Sequence, residues 1–470
     1  MNFKSISFYL SLFTFPISIL AFVHILYSYY FNYFLSLDSY IIVLIFSLIT
    51  AFGLYLYGKN SIKKIQFIEQ IILIILIYVL SSFFISIPFY LSDFQIKFIS
   101  SFFEAISGIT GTGFSIFKNI KYLDPTLILW RSSSQWIGGL YFLVFLTILF
   151  SNKIFNFKMT NLSYLGDSNL NSEESIKTSL LRIFILYVVL SIFILILLNL
   201  SGIRLFNSLN LSMTLISAGG FLPSDILGEI ILSNFQKIIL ILSFLITLLN
   251  FYLPLNILNK KLLLKYHRED FYLILLSIVL ILFVILNNYK ILDIIISILS
   301  CLVNSGISII NSDSNLGLYF LLITVIGGSI ISNTSGIKLV RIYILLKISS
   351  YEILKLVSPN SIINKSIFNS EIKITDDHIK VSFLIFISFF LSLFILSGLL
   401  IFDDIGFEKS FKLSILTLTN TASSEMYNLQ NINFSNLLTS SKISLIIFMI
   451  IGKIELISIF LIFNKLLFKK

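Results

Sequence analysis

Charged residues are scarce in this chain, and cysteine and histidine are nearly absent. Asp, Glu, Lys and Arg make up 12% of its 470 residues, 57% are apolar, and the mean hydropathy is +0.98. A soluble domain carries roughly 25% charged residues, so an ordinary water-soluble fold is excluded. One cysteine, Cys301, cannot form an internal disulfide and carries no information about compartment. The three histidines, His24, His267 and His378, are scattered without metal-ligand spacing. With no paired-carboxylate motif beside them, the clustered groups that a membrane-embedded enzyme needs are missing. The stretches 151–177 and 349–378 are the longest charged segments, and neither is long enough for a soluble domain.

What the chain has is apolar length. Runs near the roughly 20 residues that cross a bilayer occur about ten times. They lie at Phe8–Tyr30, Tyr40–Tyr57, Ile65–Ile87, Leu127–Phe150, Leu180–Leu200, Ile238–Leu258, Phe271–Leu286, Leu318–Ile348, Val381–Ile401 and Ile443–Phe468. The first is long enough to span, with no A-x-A-like site after it, so it reads as a span and not as a cleaved signal peptide. A net charge of +10 raises the question of nucleic acid, but the cations sit in alternate loops. Lys59, Lys63 and Lys64 follow span two; Lys153, Lys158 and Lys177 follow span four; Lys260, Lys261, Lys265 and Arg268 follow span six. Lys347, Lys355, Lys365 and Lys373 follow span eight, and Lys465, Lys469 and Lys470 close the chain. That bias marks cytoplasmic loops and puts both termini in the cytoplasm. No nucleic-acid partner is implied; the bilayer is.

Between spans, a half-polar stretch ending near glycine recurs. The clearest copy is Phe102–Phe114, containing Thr110-Gly111-Thr112-Gly113. Others end at Ser217-Ala218-Gly219-Gly220-Phe221, at Asn304-Ser305-Gly306-Ile307 and, without glycine, at Thr419-Asn420-Thr421-Ala422. The expected fold is therefore an all-α polytopic membrane protein with about ten transmembrane helices. It has an N-terminal hairpin (1–59) and four span–pore loop–span repeats (60–160, 175–270, 271–375 and 376–470) around a central cation pore. A short helix over 99–110 entering from outside would aim its negative dipole end at Gly111 and Gly113. Glycine there lets carbonyl oxygens turn toward an axis and replace a cation's hydration shell. A single such loop is also what any glycine-rich turn between two spans looks like; the fourfold recurrence favours the pore.

These segments resemble the Trk/Ktr/HKT superfamily of potassium transporters, in particular the Trk-type membrane subunit. The resemblance runs through Phe103–Gly113, Trp130-Arg131-Ser132-Ser133-Ser134-Gln135-Trp136-Ile137-Gly138-Gly139, Ser217–Phe221, Gly336–Ile342 and Gly452-Lys453-Ile454-Glu455-Leu456, in order. It implies a selectivity filter of Thr110, Gly111, Thr112, Gly113, Ala218, Gly219, Gly220, Asn304, Ser305, Gly306, Asn420, Thr421 and Ala422. K⁺, or Na⁺, would be the transported ion, held by the carbonyls of Thr112, Gly113, Gly219, Gly220, Ser305, Gly306, Thr421 and Ala422. It also implies a gate inside span eight, formed by Gly327, Gly328, Ser329, Ser332, Asn333, Thr334, Ser335 and Gly336, with Lys453 beside it. A homodimer and cytosolic nucleotide-binding regulatory subunits in the cytoplasmic (inner) membrane belong to the same implication.

By the same resemblance the fourth filter position falls on Ala422, and no realignment supplies a glycine, because none occurs between Gly406 and Gly452. Were that position left-handed, alanine would cost on the order of 1 kcal/mol. The polar break at 327–336 has a second reading as a Ser/Gly contact between helices. Lys453 lies in an apolar span, where a charge marks a functional site or a buried structural pair. Glu104 and Arg131 are expected to brace the first loop, and Glu425 to attract cations or to sit as a solvated charge. Two further functions stay open at this stage: an ion-coupled secondary transporter, by K⁺/H⁺ or K⁺/Na⁺ symport, and a non-conducting subunit of a membrane complex.

Overall fold

The computed structural model describes residues 2–61, 65–151, 173–258, 267–284, 290–309, 314–358, 365–369, 373–429 and 432–454. Lys63, Lys64, Lys153, Lys158, Lys260, Lys261, Lys265, Glu455, Leu456, Lys465, Lys469 and Lys470 lie outside the described residues. The rest is helical apart from loops and one very short strand pair. Helices α1 (Phe3–Phe31) and α2 (Leu37–Gly58) pack on each other as an N-terminal hairpin. Then follow α3 (Phe67–Tyr90), α4 (Phe98–Thr110) and α5 (Pro125–Ser151), and next α6 (Glu173–Leu200), α7 (Leu205–Ile216), α8 (Asn234–Leu248) and α9 (Leu253–Leu258). The chain continues through α10 (Arg268–Val284), α11 (Ile291–Val303), α12 (Ser314–Thr324) and α13 (Leu339–Val357). It ends on α14 (Asp376–Phe402), α15 (Phe407–Leu418) and α16 (Thr439–Ile454).

The distribution of side chains is that of helices solvated by lipid. On α14 the buried positions include Ser382, Ser388, Ser392 and Ser397, while Phe383, Phe386, Phe390 and Phe394 face outward. On α1, Ser11, Thr14 and Ser18 are inside, and Phe15, Ile19 and Phe22 outside. Lipid gives apolar side chains no reason to hide, so close helix packing selects small residues instead. Their hydroxyls do not go unpaired: Ser388, Ser392 and Ser397 each donate to the carbonyl three residues back.

Among the described residues, five helices are long and apolar enough to cross a membrane: Phe3–Phe31, Leu37–Gly58, Ile68–Tyr90, Leu180–Leu200 and Asp376–Phe402. Two of the expected spans take another form. The run Ile238–Leu258 was expected to be continuous, but α8 stops at Leu248 and α9 starts only at Leu253. Pro254 has no N–H to donate to Asn250 O, and its ring would clash with that carbonyl in a continuous helix. The run Leu318–Ile348 is split into α12 and α13 by the non-helical stretch 325–338. Within it, β1 (Ile326–Gly327) and β2 (Ile337–Lys338) pair in parallel and close the stretch into a loop.

The two breaks satisfy each other. Ser329 N donates to Leu248 O at 3.1 Å, and Phe251 N donates to Ile331 O at 3.0 Å. These are groups that a continuous α8 and a continuous span eight would have used internally. Carboxylates from the start of α10 cover what remains. Asp270 Oδ1 accepts from Asn250 N at 3.0 Å, and its Oδ2 bonds His267 Nδ1 at 2.6 Å, while Glu269 Oε2 accepts from Ile330 N at 3.3 Å. Asn256 Nδ2 donates to His267 Nε2 at 2.9 Å, so the ring carries its proton on Nδ1 and donates it to Asp270. Leaving a buried donor unpaired costs about 1–3 kcal/mol. Asp270→Ala orphans two donors, and the melting midpoint of the detergent-solubilised protein is expected to fall clearly. An unchanged midpoint would mean that this carboxylate does not hold the break.

Candidate functional site

Four short helices, α4, α7, α11 and α15, end in the same way. Each chain leaves its helix through a left-handed residue: Gly111 (φ 81°), Ala218 (φ 57°), Asn304 (φ 64°) and Asn420 (φ 49°). The next amides fold back on the last turn, with Gly219 N to Thr214 O at 2.8 Å, Ser305 N to Ser300 O at 3.1 Å and Thr421 N to Leu416 O at 2.8 Å. In the first copy the returning amide is Gly113 N, on Ser107 O at 3.3 Å. This is the Schellman way of stopping a helix. Asparagine tolerates the left-handed region better than other side chains, which explains Asn304 and Asn420 where the first loop has glycine. The sequence reading placed these four residues among the filter positions but centred on the residue two further on; their part in ending the helices shows only in the backbone.

Two residues beyond, the four loops meet. A Cβ placed on Gly113 would lie 2.8 Å from Gly220 Cα and 2.9 Å from Ala422 Cβ. One placed on Gly220 would clash with Ala422 Cβ and with Ser305 O, and one on Gly306 would clash with the Ala422 backbone. Ala422 N reaches Ser305 O at 3.4 Å. Thr110, Gly111, Thr112, Gly113, Ala218, Gly219, Gly220, Asn304, Ser305, Gly306, Asn420, Thr421 and Ala422 are therefore brought into one cluster. Side chains tie it sideways: Asn420 Nδ2 donates to Thr112 Oγ1 at 3.0 Å and to Met449 O at 2.9 Å. Asn304 Nδ2 donates to Thr324 O at 2.6 Å and contacts Thr421 Oγ1 at 3.4 Å. Ala422 does not have a positive φ, and neither does Gly220, whereas Gly113 and Gly306 do. The backbone strain expected at Ala422 is absent. What alanine adds is a methyl group that takes the space a side chain at Gly113 or Gly220 would need.

A buried ion pair fixes the first loop. Arg131 Nε donates to Glu104 Oε1 at 2.9 Å, with both side chains at most 1% exposed. Glu104 Oε2 accepts from Ile116 N at 2.8 Å, and Ser115 Oγ bridges the two, at 3.1 Å from Glu104 and 2.9 Å from Arg131 Nη2. The guanidinium also lies 4.2 Å from the centre of the Phe221 ring, joining the first loop to the second. Gln135 Oε1 strengthens the same junction by accepting from Phe221 N at 3.2 Å. On the outer rim, Asp225 accepts from Ile120 N at 2.7 Å. There Glu229 holds the exposed Lys121 ammonium above the ordinary lysine range by accepting a hydrogen bond at 2.8 Å. Glu425 is exposed at the start of a short 3₁₀ turn.

Below the cluster lies the 325–338 loop, in which Gly327, Gly328, Ser329, Ser332, Asn333, Thr334 and Ser335 are buried and Gly336 is half-buried. Lys453 Nζ donates to Asn333 O at 3.2 Å and Ser335 Oγ at 3.4 Å. It is also 3.8 Å from a Cβ placed on Gly111, so it sits between the loop and the four-loop cluster. Asn333 Nδ2 donates to Ile216 O at 2.7 Å, tying the loop to the end of α7. A second lysine, Lys338 at the end of the loop itself, folds back to bond Ser332 O and Thr334 O, and nothing in the sequence marked it as a site residue. Both ammoniums lie over the Phe142 ring, at 4.6 Å for Lys453 and 5.8 Å for Lys338.

No protein-family model matches the chain. An uncharacterized cation transporter of Methanocaldococcus jannaschii is 28% identical over 96% of this chain and 94% of its own length. The Trk system potassium uptake protein TrkG of Escherichia coli is 24% identical over 88% of each chain. The chain is a homologue of the Trk potassium uptake proteins. A crystal structure of the potassium transporter TrkH from Vibrio parahaemolyticus shares the fold, with a TM-score of 0.87 over 98% of both chains at 19% identity. In this Trk homologue, removing one partner of the buried pair leaves a lone charge, at a cost of about 3–5 kcal/mol. Glu104→Ala is therefore expected to lower the melting midpoint and the yield of folded protein sharply. A midpoint within a degree of the parent would show that Glu104 does not brace the loop.

Proposed function

We propose that this protein moves potassium across the cytoplasmic membrane through a filter built from the four converging loops. One observation carries the reading: four helix C-termini end at a single cluster of backbone. Each contributes roughly half a negative charge of dipole, and no acidic side chain has to be desolvated there. A monovalent cation is the ligand such a place favours, and rings of carbonyls are a known means of replacing its water. The Trk potassium uptake names of the relatives support the ion, and support a transporter rather than an enzyme. In this reading the chain comprises an N-terminal hairpin and four span–pore loop–span repeats, with both termini cytoplasmic. The 325–338 loop is the gate beneath the filter, and Lys453 is the charge that holds it. A homodimer and cytosolic nucleotide-binding subunits complete the assembly.

Reconstitution into liposomes with ⁸⁶Rb⁺, K⁺ and Na⁺ tests the proposal. Movement of the larger alkali cations is expected; no flux of any of the three, with or without a cytosolic partner, would sink it. Lys453→Ala removes both a positive charge from the path and two bonds to the gate loop. Cation flux is expected to rise, and unchanged or lower flux from folded protein would argue against the role given to Lys453. Ala422→Gly deletes the methyl that lies between Gly113 and Gly220 while leaving the φ of the position allowed. The glycine variant is expected to gain K⁺ over Na⁺ preference in uptake by transport-deficient cells. Identical selectivity would place Ala422 away from the constriction.

A further inference from the structure

The Lys338 ammonium is enclosed by oxygen atoms of a single turn. It lies 3.2 Å from Ser332 O, 3.3 Å from Ser332 Oγ, 2.7 Å from Thr334 O and 3.0 Å from Thr334 Oγ1. An ammonium has three hydrogens to donate, so four oxygens form a shell wider than a hydrogen-bonding triad requires. The turn is set up to present lone pairs inward. Ser332 Oγ gives its proton to Ser329 O at 2.7 Å. Thr334 Oγ1 already accepts from Gly328 N at 2.9 Å and lies 2.8 Å from Ser332 Oγ, to which it donates. Both hydroxyl oxygens are thus left as acceptors on the side facing Lys338. Two carbonyls and two hydroxyls, all buried, make a chemically neutral oxygen cage of the kind that binds hard monovalent cations.

We propose that the Ser332–Thr334 turn is a monovalent-cation site whose occupant is the chain's own Lys338, a tethered stand-in for K⁺ that holds the gate loop in its folded-in form. Potassium and a primary ammonium are of similar size and take the same oxygen ligands, so either fills the cage. Residues alternate along the segment: Ser332 and Thr334 face Lys338, and Asn333 and Ser335 face Lys453. The loop is held between two cations, and releasing one frees half of its acceptors. The consequence for flux rests on the pore reading above; the binding claim does not.

Purified Lys338→Met tests it, with thermal unfolding followed in KCl, RbCl and N-methyl-D-glucamine chloride at equal ionic strength. In the glucamine salt the variant is expected to melt several degrees below wild type. K⁺, Rb⁺ or NH₄⁺ should restore the midpoint saturably, by more than the salts shift wild type. Lys338→Gln is measured in parallel, since its neutral amide reaches a similar distance without being a cation. The same salt dependence in variants and wild type overturns the proposal, and so does failure of both variants to fold even in K⁺. In liposomes, Lys338→Met should leak Rb⁺ faster than wild type. If wild type carries no cation at all, the pore reading fails while the melting series still decides whether the cage binds cations.

Discussion

Inside a bilayer a backbone amide or carbonyl has no water to turn to, and each unsatisfied group costs several kcal/mol. The interior of this protein is arranged around that constraint. Regular helices meet it internally; the four loop ends and the 325–338 stretch do not, and each is surrounded by donors and acceptors from other elements. Leu248 O and Phe251 N, freed by the end of α8, are taken by Ser329 N and Ile331 O of the loop. Neither irregularity would be tolerable without the other, which binds α8 to the 325–338 loop as a single structural decision.

The same constraint accounts for the charged residues that remain in a chain so poor in charge. Glu104 and Arg131 cap the backbone that follows the first loop and stack on the second. Glu269 and Asp270 cap the two breaks. Lys338 and Lys453 saturate carbonyls and hydroxyls of the loop. Each replaces water at a place where the chain is not helical. The buried ions therefore gather where the backbone is irregular, at the four loop ends and the 325–338 stretch.

Membrane embedding, the approximate positions of most spans and the recurrence of the half-polar loops were legible in the sequence. Apolar length and small-residue patterning are local properties, written in consecutive residues. The break inside span eight was legible too, from Gly327, Gly328 and Gly336 in an otherwise apolar run. The premature end of α8 was not read there, although Asn250, Pro254 and Asn256 interrupt the run, because the partners that take its freed groups lie some 80 residues away. Lys338 escaped notice because a lysine next to a helix start resembles a surface charge until the turn that wraps it is in place.

Ala422 shows most clearly where the division falls. The sequence determined that the fourth loop lacks its glycine, since no other glycine is near enough to substitute. Whether that loss strains the backbone or crowds the centre could not be decided from identity alone. It turns on φ and on which groups stand opposite, and both are set by four segments meeting in space. The tertiary structure decided against strain: alanine sits in ordinary backbone geometry, and its methyl takes the space that a side chain at Gly113 or Gly220 would need.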